Sequence, residues 1–392
     1  MMRVLSISTL FPSPVRGGFG KFVANQMAAL HRLGGVDLTM INPIGLPPFP
    51  LSLRQPYRDW AQCPAQSELG GLTVLHPRFT LIPMIGSDSN PARITRAVLP
   101  LVRHLHAEKP FDLVDAQFFF PDGPAAAIIA RELGLPLTIK ARGSDIHYWG
   151  GRPAALAQML AAADQASALL TVSGALGRDM VALGMDKAKL RVHYTGLDRE
   201  RFTPTPRAQA RGALPEKLGL TIPDGAPLLV CPGALIAIKG QALAIGALEE
   251  LPDAHLALAG TGAYETVLRQ VAEPFAARVH FLGQVSHDAL PLLMSAADAV
   301  VLPSEREGLA NVWIEAMACG APLIIPDIGG GREVITSPAA GRIALRTPHA
   351  IATAARELLA APIDQADVAA QVAGFSWEAN AMKLREIWQE AI

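Results

Sequence analysis

Cysteine is scarce in this sequence. Only Cys63, Cys231 and Cys319 occur among the 392 residues, and they lie far apart, with no C-x-x-C pair. This spacing excludes a disulfide framework and gives no sign of a zinc site. A reducing compartment is therefore expected.

An excess of charge of one sign is also missing. The 34 Lys and Arg residues nearly balance 35 Asp and Glu, for a formal net charge of −1, and no basic run occurs. This balance argues against a dedicated nucleic-acid binder. Long apolar runs are absent as well, so no segment is predicted to span a membrane.

The N-terminal stretch 1–14 is apolar but short, and Pro12 breaks it too early for a signal peptide. It is predicted to form a first buried strand, and a cytoplasmic location is expected. Segment 93–106 places cationic side chains beside an apolar stripe, which could bring the protein into peripheral contact with anionic lipid at the inner membrane surface. Pro100 interrupts this segment, which favours an ordinary surface helix.

Several catalytic motifs are absent. No D-x-D triplet stands at a strand end, so the sequence predicts no clamp for Mg²⁺ or Mn²⁺. Neither a G-x-S-x-G elbow nor a P-loop occurs, which argues against the hydrolases and NTPases that those motifs define.

What the chain does have is alternation of strand and helix patterns, which is typical of parallel α/β domains. A proline-rich break after Tyr194 predicts an N-terminal domain at 1–200, a second domain at 201–375 and a C-terminal amphipathic helix at 376–392. Periodicity is missing from the break up to Leu218. The predicted strands are 3–8, 37–41, 72–75, 113–116, 137–140, 169–172 and 189–194, then 226–231, 256–259, 279–282, 299–302 and 322–325.

The longest stretch without periodicity, 42–71, contains six prolines. A connection of this length is usually either functional or disordered. It is expected on the side of the first domain where an acceptor could sit.

Segment 300–322, VVLPSEREGLANVWIEAMACGAP, predicts a buried strand, a Gly-containing loop and a helix over 309–319. Backbone N–H groups at such a helix start form an anion site beside the strand end. Glu307 and Glu315 would lie about 12 Å apart on one helix. That separation is too large for an acid–base pair on one bond but suits two contacts with one extended ligand. Each carboxylate alone could equally favour the helix dipole or lie on a solvated face.

Other strand ends carry further candidates. Gly17 and Gly18 follow the first strand, where glycines let the backbone approach a phosphate or sugar, although turn glycines are common. The segment 140–147, KARGSDIH, has the polar crowding of an active-site lip, or forms a solvated loop with a turn at Asp145. The segment 231–240, CPGALIAIKG, follows the first strand of the second domain.

Segment 304–322 resembles the E-x7-E signature of retaining GT-B glycosyltransferases of family 4, in its setting LPS-x-x-EG-x6-EA-M-A-x-G-x-P. The resemblance extends over nearly the whole chain. It implies two Rossmann-like domains that face each other across a cleft, with the last helix crossing back to the first domain. The matching segments also include the family's G-R-L-x3-K-G, in which Lys239 is present and Ala234 stands at the Arg position. Arg142 stands where a histidine is common.

The resemblance implies retaining transfer of a sugar from a nucleotide diphosphate sugar to a hydroxyl of a saccharide or lipid-linked saccharide. The nucleotide sugar is a substrate, and neither a cofactor nor a metal is expected. The catalytic candidates are Glu307, Lys239, Arg142 and Asp145. The donor-binding candidates are Gly17, Gly18, Gly233, Lys239, Gly262, Val285, Glu307, Gly308, Leu309, Ala310, Asn311, Val312 and Glu315.

Three questions stay open at this point. Arg16, Arg142 or Arg306 could supply the charge that is missing at Ala234. A nucleotide-sugar epimerase of the same fold would bind the same donor without an acceptor. A two-lobed sugar-binding protein is a third reading, and the absence of a signal peptide argues against it.

Overall fold

The computed structural model describes residues 1–83, 86–286 and 288–392. The chain forms two compact units. Unit 1 contains Met1–Gly196 together with Trp377–Ile392, and unit 2 contains Leu197–Ser376. Unit 1 is therefore built from two separate pieces of the chain.

Unit 1 has a sheet in the order β10-β9-β8-β7-β1-β2-β5-β4, and a small parallel pair, β3 with β6. Every neighbouring pair in the large sheet is parallel except β4 with β5. The strands are β1 Met2–Ile7, β2 Val36–Ile41, β3 Ile44–Leu46, β4 Gln66–Leu69, β5 Leu72–Leu75, β6 Arg78–Thr80, β7 Leu113–Ala116, β8 Leu137–Ala141, β9 Ala168–Thr171 and β10 Leu190–Val192.

The helices of unit 1 connect these strands and cover the sheet. They are α1 Lys21–Leu33, α2 Tyr57–Trp60, α3 Asn90–Glu108, α4 Asp122–Leu133, α5 Ser144–Trp149, α6 Pro153–Gln165 and α7 Gly174–Ala182.

Unit 2 has one parallel sheet in the order β13-β12-β11-β14-β15-β16. Its strands are β11 Leu228–Pro232, β12 His255–Ala259, β13 Val279–Phe281, β14 Ala299–Val301, β15 Leu323–Ile325 and β16 Gly341–Ile343. Its helices are α8 Arg207–Leu218, α9 Gln241–Gly246, α10 Glu265–Val271, α11 Leu290–Ala296, α12 Asn311–Ala318, α13 Gly331–Val334, α14 Pro348–Ala360 and α15 Gln365–Ala370.

The last helix, α16 (Trp377–Ala391), belongs to unit 1 and packs against α1. Its apolar face joins the core of unit 1 through Trp377, Ala381, Leu384 and Trp388. Burial of such a stripe at helical spacing is what attaches an amphipathic helix to a domain.

The stretch 42–71 was expected to lack regular structure, and this was wrong, because it contains β3, α2 and β4. Gly70 and Gly71 have φ of 59° and 82° and join β4 to β5. Two consecutive left-handed residues make a tight hairpin turn, which Gly-Gly permits. The sequence Leu69-Gly70-Gly71-Leu72 was the signal that could have predicted it.

Two further expectations about helices were wrong. Helix α8 fills 207–218, where no periodicity was recognised; its two buried residues, Ala210 and Leu214, give only a weak pattern. Helix α3 runs through Pro100, which was expected to interrupt it. Pro100 lies on the exposed face, so water can reach the carbonyl group that loses its hydrogen bond. The apolar face of α3 is buried, with Ile94, Val98 and Val102.

Among the described residues, no helix combines the length and the apolar character that crossing a bilayer requires.

Candidate active site

The sheet of unit 2 reverses its strand order between β11 and β14. The chain moves outward from β11 through β12 to β13 on one side, and from β14 through β15 to β16 on the other. In open parallel sheets ligands bind at the carboxyl ends of the strands at this switch point. The loops that follow β11 and β14 carry Lys239 and Glu307, so the topology brings these two candidates to one place.

Backbone hydrogen bonds tie the loops at this edge together. Gly233 N–H donates to Ala259 O at 2.8 Å, and Gly260 N–H donates to Gly283 O at 2.7 Å. The loop after β14 is tied on both sides, by Glu305 N–H to Ile238 O at 2.7 Å and by Gly330 N–H to Gly308 O at 2.7 Å. The segments that hold Gly233, Gly262, Val285 and Glu307 therefore form one connected rim.

Two glycines of this rim have different functions. A Cβ atom on Gly262 would lie 2.2 Å from Leu235 O, so only glycine allows these loops to approach each other. Gly233 has φ of 136°, and a Cβ atom there would meet nothing within 4 Å. The backbone at Gly233 therefore faces open space, as expected where a ligand approaches the main chain.

Lys239 and Glu307 form an ion pair, with 2.5 Å between Lys239 Nζ and Glu307 Oε1. Both side chains are half-buried. The pair combines a cation that can contact phosphate with a carboxylate that can accept hydroxyl hydrogen bonds. Each of the two charges holds the other in position.

The helix after β14 begins later than predicted, at Asn311 instead of Leu309. Glu307 therefore lies in the loop, and the estimate that assumed both glutamates on one helix does not apply. Ala310 is the N-cap residue and its side chain accepts no hydrogen bond. The first N–H groups of α12 thus lack a side-chain cap, and the helix start stays available to an anion.

Glu315 lies on α12 and is half-buried. Burial raises the pKa of its carboxyl group to about 7, although the positive charge of Arg201 lowers the pKa. A carboxyl group of this kind changes charge near neutral pH.

In unit 1 the first predicted candidates, Gly17 and Gly18, lie exposed in the loop between β1 and α1. A Cβ atom on either glycine would meet nothing within 4 Å. The adjacent Arg16 has its guanidinium 3.8 Å from the ring centre of Phe19 and 4.4 Å from that of Trp60. The loop is thus open at the glycines and held by an arginine between two aromatic rings.

Arg142 lies directly after β8 and is held by glutamines. Its Nη2 donates to Gln117 Oε1 at 2.5 Å, and its Nε donates to Gln117 O at 3.1 Å. Burial lowers the pKa of the guanidinium to about 10, which leaves it charged at neutral pH. Arg142 is therefore a fixed cation at the carboxyl edge of the unit 1 sheet.

Asp145 is fully buried, and its carboxylate accepts backbone hydrogen bonds. The donors are the N–H groups of Phe119, Arg142, Gly143 and Ile146, at 2.8 to 3.1 Å. Burial raises the pKa of Asp145, while these bonds lower it. The geometry makes Asp145 an organiser of the loops after β7 and β8, and its catalytic role stays a prediction.

Sequence reasoning missed a buried polar network centred on Asp115 in β7. Asp115 accepts hydrogen bonds from Ser6 (2.8 Å), Gln117 (2.7 Å), Thr138 (2.8 Å) and Trp388 (3.2 Å). Trp388 lies on α16, so the network connects the returning helix to the sheet.

Lys140 belongs to the same network. It was read as part of an active-site lip, yet it is fully buried. Its Nζ donates to Gln26 Oε1 at 3.0 Å and to His193 Nδ1 at 2.6 Å. His193 Nε2 in turn donates to Asn380 O on α16 at 2.9 Å. Burial lowers the pKa of Lys140 well below its ordinary range. Lys140 is thus a structural residue, and because every position of β8 is buried, the local pattern could not reveal its partners.

Buried polar atoms without a partner were missed as well. Asp122 Oδ2 accepts a hydrogen bond from Thr9 N–H at 2.8 Å, whereas its Oδ1 has no partner among the described residues. Burial raises the pKa of Asp122 to about 7. In unit 2, Ser304 Oγ and Trp313 Nε1 are likewise unpartnered within the part of the chain that the structure describes. Ser304 and Trp313 belong to the 304–322 signature, which was the available signal.

Ala234 stands where the family has an arginine, and three arginines were considered as replacements for that charge. Of these three, Arg306 lies in unit 2. Its exposed side chain lies 4.0 Å from Glu305. Arg16 and Arg142, the other two candidates, belong to unit 1. The described residues contain no group of three or more His, Cys, Asp or Glu side chains that could hold a metal ion.

Solved structures show which fold the chain has. Sucrose-phosphate synthase from Thermosynechococcus elongatus superposes with a TM-score of 0.78 at 20% identity, over 100% of this chain and 99% of that chain. Anabaena HepE in complex with UDP-glucose superposes with a TM-score of 0.68 at 20% identity, over 100% and 98%. The predicted fold class, GT-B, is confirmed.

Family comparisons then identify the chain. The model for glycosyl transferases group 1 matches residues 216–373, and that for the glycosyl transferase 4-like domain matches 17–196. A putative teichuronic acid biosynthesis glycosyltransferase of Bacillus subtilis is 31% identical over 338 residues, 84% of this chain and 82% of that relative. A GDP-mannose-dependent phosphatidylinositol monomannoside mannosyltransferase of Corynebacterium glutamicum is 34% identical over 213 residues, 50% of this chain and 55% of that relative. The chain belongs to the group 1 glycosyltransferases, and the predicted family is confirmed.

Proposed function

We propose that the protein transfers a sugar from a nucleotide diphosphate sugar to a hydroxyl of a saccharide or lipid-linked saccharide, with retention at the anomeric carbon and without a metal ion. The observation that carries this proposal is the Lys239–Glu307 pair at the switch point of unit 2, next to a helix start without a side-chain cap. Together these groups offer a cation, amide donors and a carboxylate to one extended ligand.

The roles follow from the chemistry of each group. Lys239 and the amides of Leu309, Ala310 and Asn311 stabilise the diphosphate as it leaves. Glu307 accepts hydrogen bonds from the hydroxyls of the donor sugar, and Glu315 accepts those of the ribose. The open backbone at Gly233, the loop at Gly262 and the loop at Val285 line the nucleotide. Gly308 and Val312 flank the helix amides.

Retention is proposed because the family that segment 304–322 resembles retains the anomeric configuration, and the described residues of the site offer no pair of free carboxylates for double displacement. Glu307 is paired with Lys239, and Glu315 lies beyond the helix start on α12. The acceptor hydroxyl therefore attacks from the side on which the diphosphate leaves, through a short-lived ion pair. The donor charge is neutralised by Lys239 and the helix amides.

Unit 1 is proposed to bind the acceptor, with Arg142 at the carboxyl edge of its sheet, and its loop at Gly17 and Gly18 is proposed to contact the donor. The names of two relatives support a saccharide or lipid-linked acceptor, since one acts in teichuronic acid biosynthesis and the other on a phosphatidylinositol monomannoside. Asp145 supports this edge through the amides it binds.

Thermal stabilisation by UDP, GDP, ADP and dTDP tests the donor site. At about 100 times its Kd, a nucleotide stabilises the protein by about 2.7 kcal/mol, which corresponds to roughly 5–11 °C for a domain of this size. We expect one of the four to do so, with and without EDTA. Loss of stabilisation in EDTA would contradict metal independence, and no stabilisation by any of them would contradict the donor site. Formation of an isomerised sugar from the donor alone would instead indicate an epimerase.

Nucleotide affinity should depend on pH through Glu315. The pKa of Glu315 is about 7, above its ordinary value of 4.5, so below pH 7 the carboxyl group is mostly protonated. Because the nucleotide is proposed to bind the carboxylate form, binding below pH 7 requires Glu315 to release a proton. Affinity should therefore fall by up to about tenfold for each pH unit below 7 and level off above it.

Glu315→Gln is the control for this pH dependence. The phosphates of the nucleotide titrate in the same way with either protein, so a difference between the two proteins comes from residue 315. We expect the variant to bind the nucleotide about tenfold more weakly at pH 8. Below pH 7, its affinity should lack the additional fall with pH that the carboxyl group of Glu315 causes. Calorimetric titrations at pH 6, 7 and 8 measure both. Equal slopes in the two proteins would remove Glu315 from the ribose site.

A further inference from the structure

An exposed apolar surface lies in the segment between β3 and α2. Phe49, Leu51 and Leu53 expose 79%, 42% and 61% of their surface. We call these three residues the apolar tip. Leu51 and Leu53 belong to a short 3-10 turn, Leu51–Leu53, so three apolar side chains project within five consecutive residues.

Several backbone hydrogen bonds close part of this segment. Leu53 N–H donates to Pro50 O at 3.1 Å, Arg54 N–H to Leu51 O at 3.0 Å, and Arg58 N–H to Arg54 O at 3.0 Å. These bonds reduce the number of unpaired amides that the segment would carry into an apolar environment.

Charge and aromatic residues beside the apolar tip indicate its partner. Arg54 and Arg58 are both exposed. Asp59 is the only acidic residue between Asp37 and Glu68. Next to these arginines, Tyr57 and Trp60 pack edge to face with 5.3 Å between ring centres. Apolar side chains flanked by arginine, tyrosine and tryptophan are typical of a surface that sits at the boundary of an anionic bilayer.

We propose that the apolar tip inserts into the surface of an anionic lipid bilayer, with Arg54 and Arg58 in contact with the headgroups. The segment lies beside the loop that follows β1, since the Arg16 guanidinium is 4.4 Å from the ring centre of Trp60, and so lies near the carboxyl edge of the unit 1 sheet, where Gly17, Gly18 and Arg142 also lie. Docking there holds this edge close to the plane of the headgroups. This proposal concerns a different surface from the donor site and does not depend on donor chemistry.

Flotation of the full-length protein with vesicles tests the proposal. Vesicles of phosphatidylcholine with 30% phosphatidylglycerol are compared with pure phosphatidylcholine, at low and high salt. We expect binding to the anionic vesicles that weakens with salt. Arg54→Gln with Arg58→Gln should weaken it about 30-fold, at roughly one kcal/mol for each arginine, and Phe49→Ser with Leu51→Ser and Leu53→Ser should weaken it at least about tenfold.

The matched control replaces three exposed apolar residues of unit 2, through Val267→Ser, Val271→Ser and Leu345→Ser. These residues expose 38%, 38% and 77% of their surface, and the control should bind vesicles within about twofold of the natural protein. Absence of binding by the natural protein, or an equal loss in the control, would overturn the proposal. Concentration-dependent self-association that the serine variant of the apolar tip removes, without vesicle binding, would assign the surface to a second copy and overturn it too. Nucleotide stabilisation should be unchanged in all variants, which separates this outcome from failure of the donor site.

Discussion

Replacing Lys239 with methionine is expected to lower kcat by about 10²- to 10³-fold, the usual effect of removing one group that stabilises developing charge. Methionine retains most of the length of the side chain but lacks the charge. Lys239 is the cation paired with Glu307, and the proposed leaving group is a diphosphate. Turnover at saturating donor measures the effect on the chemical step.

The control for this prediction is Lys217→Met in the same unit. Lys217 forms an exposed pair with Glu216 at 2.9 Å, and exposed pairs of this kind contribute little. Its kcat should stay within about twofold of the natural enzyme. If kcat of Lys239→Met at saturating donor is also unchanged, another cation carries the charge of the leaving group, and Arg306 becomes the first alternative.

Asp115→Ala is expected to produce the largest loss of stability, about 3–5 kcal/mol, because it removes the acceptor of four buried hydrogen bonds and leaves their donors unsatisfied. Burial lowers the pKa of the neighbouring Lys140, well below its ordinary range, and that of Arg142, and the negative charge of Asp115 opposes both shifts. At about 2–4 °C for each kcal/mol in a domain of this size, the melting temperature should fall by roughly 6–20 °C. Calorimetry or circular dichroism at neutral pH measures it.

Asp37→Ala is the matched control, since Asp37 lies on the neighbouring part of the sheet and also faces two cations. It lies 2.5 Å from Lys109 and 3.5 Å from Arg3, but its side chain is 31% exposed. The free energy of unfolding of the Asp37→Ala variant should fall by less than about 1 kcal/mol.

A double variant tests the electrostatic interaction between Asp115 and Lys140. Asp115→Asn with Lys140→Met removes both the buried anion and the buried ammonium, so it should be more stable than the sum of the single effects predicts. Purely additive losses would mean that Asp115 acts through its hydrogen bonds to Thr138 and Trp388 alone.

The sequence predicted the fold class well, because parallel strands and helices leave strong periodic patterns. Most strands of both sheets were predicted within a few residues of their observed bounds. The missed strands, β3, β4, β6 and β16, are short. A strand of three or four residues carries too little alternation to stand out from a loop.

The candidate site was only partly predictable. The string from Ser304 to Pro322 locates a strand, a loop and a helix, so the positions of Glu307 and Glu315 follow from local pattern. The pairing of Glu307 with Lys239 depends on the strand order that places β14 beside β11, which no local pattern contains. Lys140 was misread for a related reason, since polar residues at a strand end look alike whether they face solvent or the interior.

The discontinuity of unit 1 affects how the protein is made. Gly196 and Trp377 are in contact, since a Cβ atom on Gly196 would lie 2.2 Å from the Trp377 ring, so unit 2 is an insertion with adjoining ends. During translation, unit 2 can fold as one continuous stretch once it leaves the ribosome. The sheet of unit 1 must wait for α16, which supplies Trp388 to Asp115 and covers α1. A nascent chain that stalls before these last residues would present an open apolar face to chaperones, even though its unit 2 is complete.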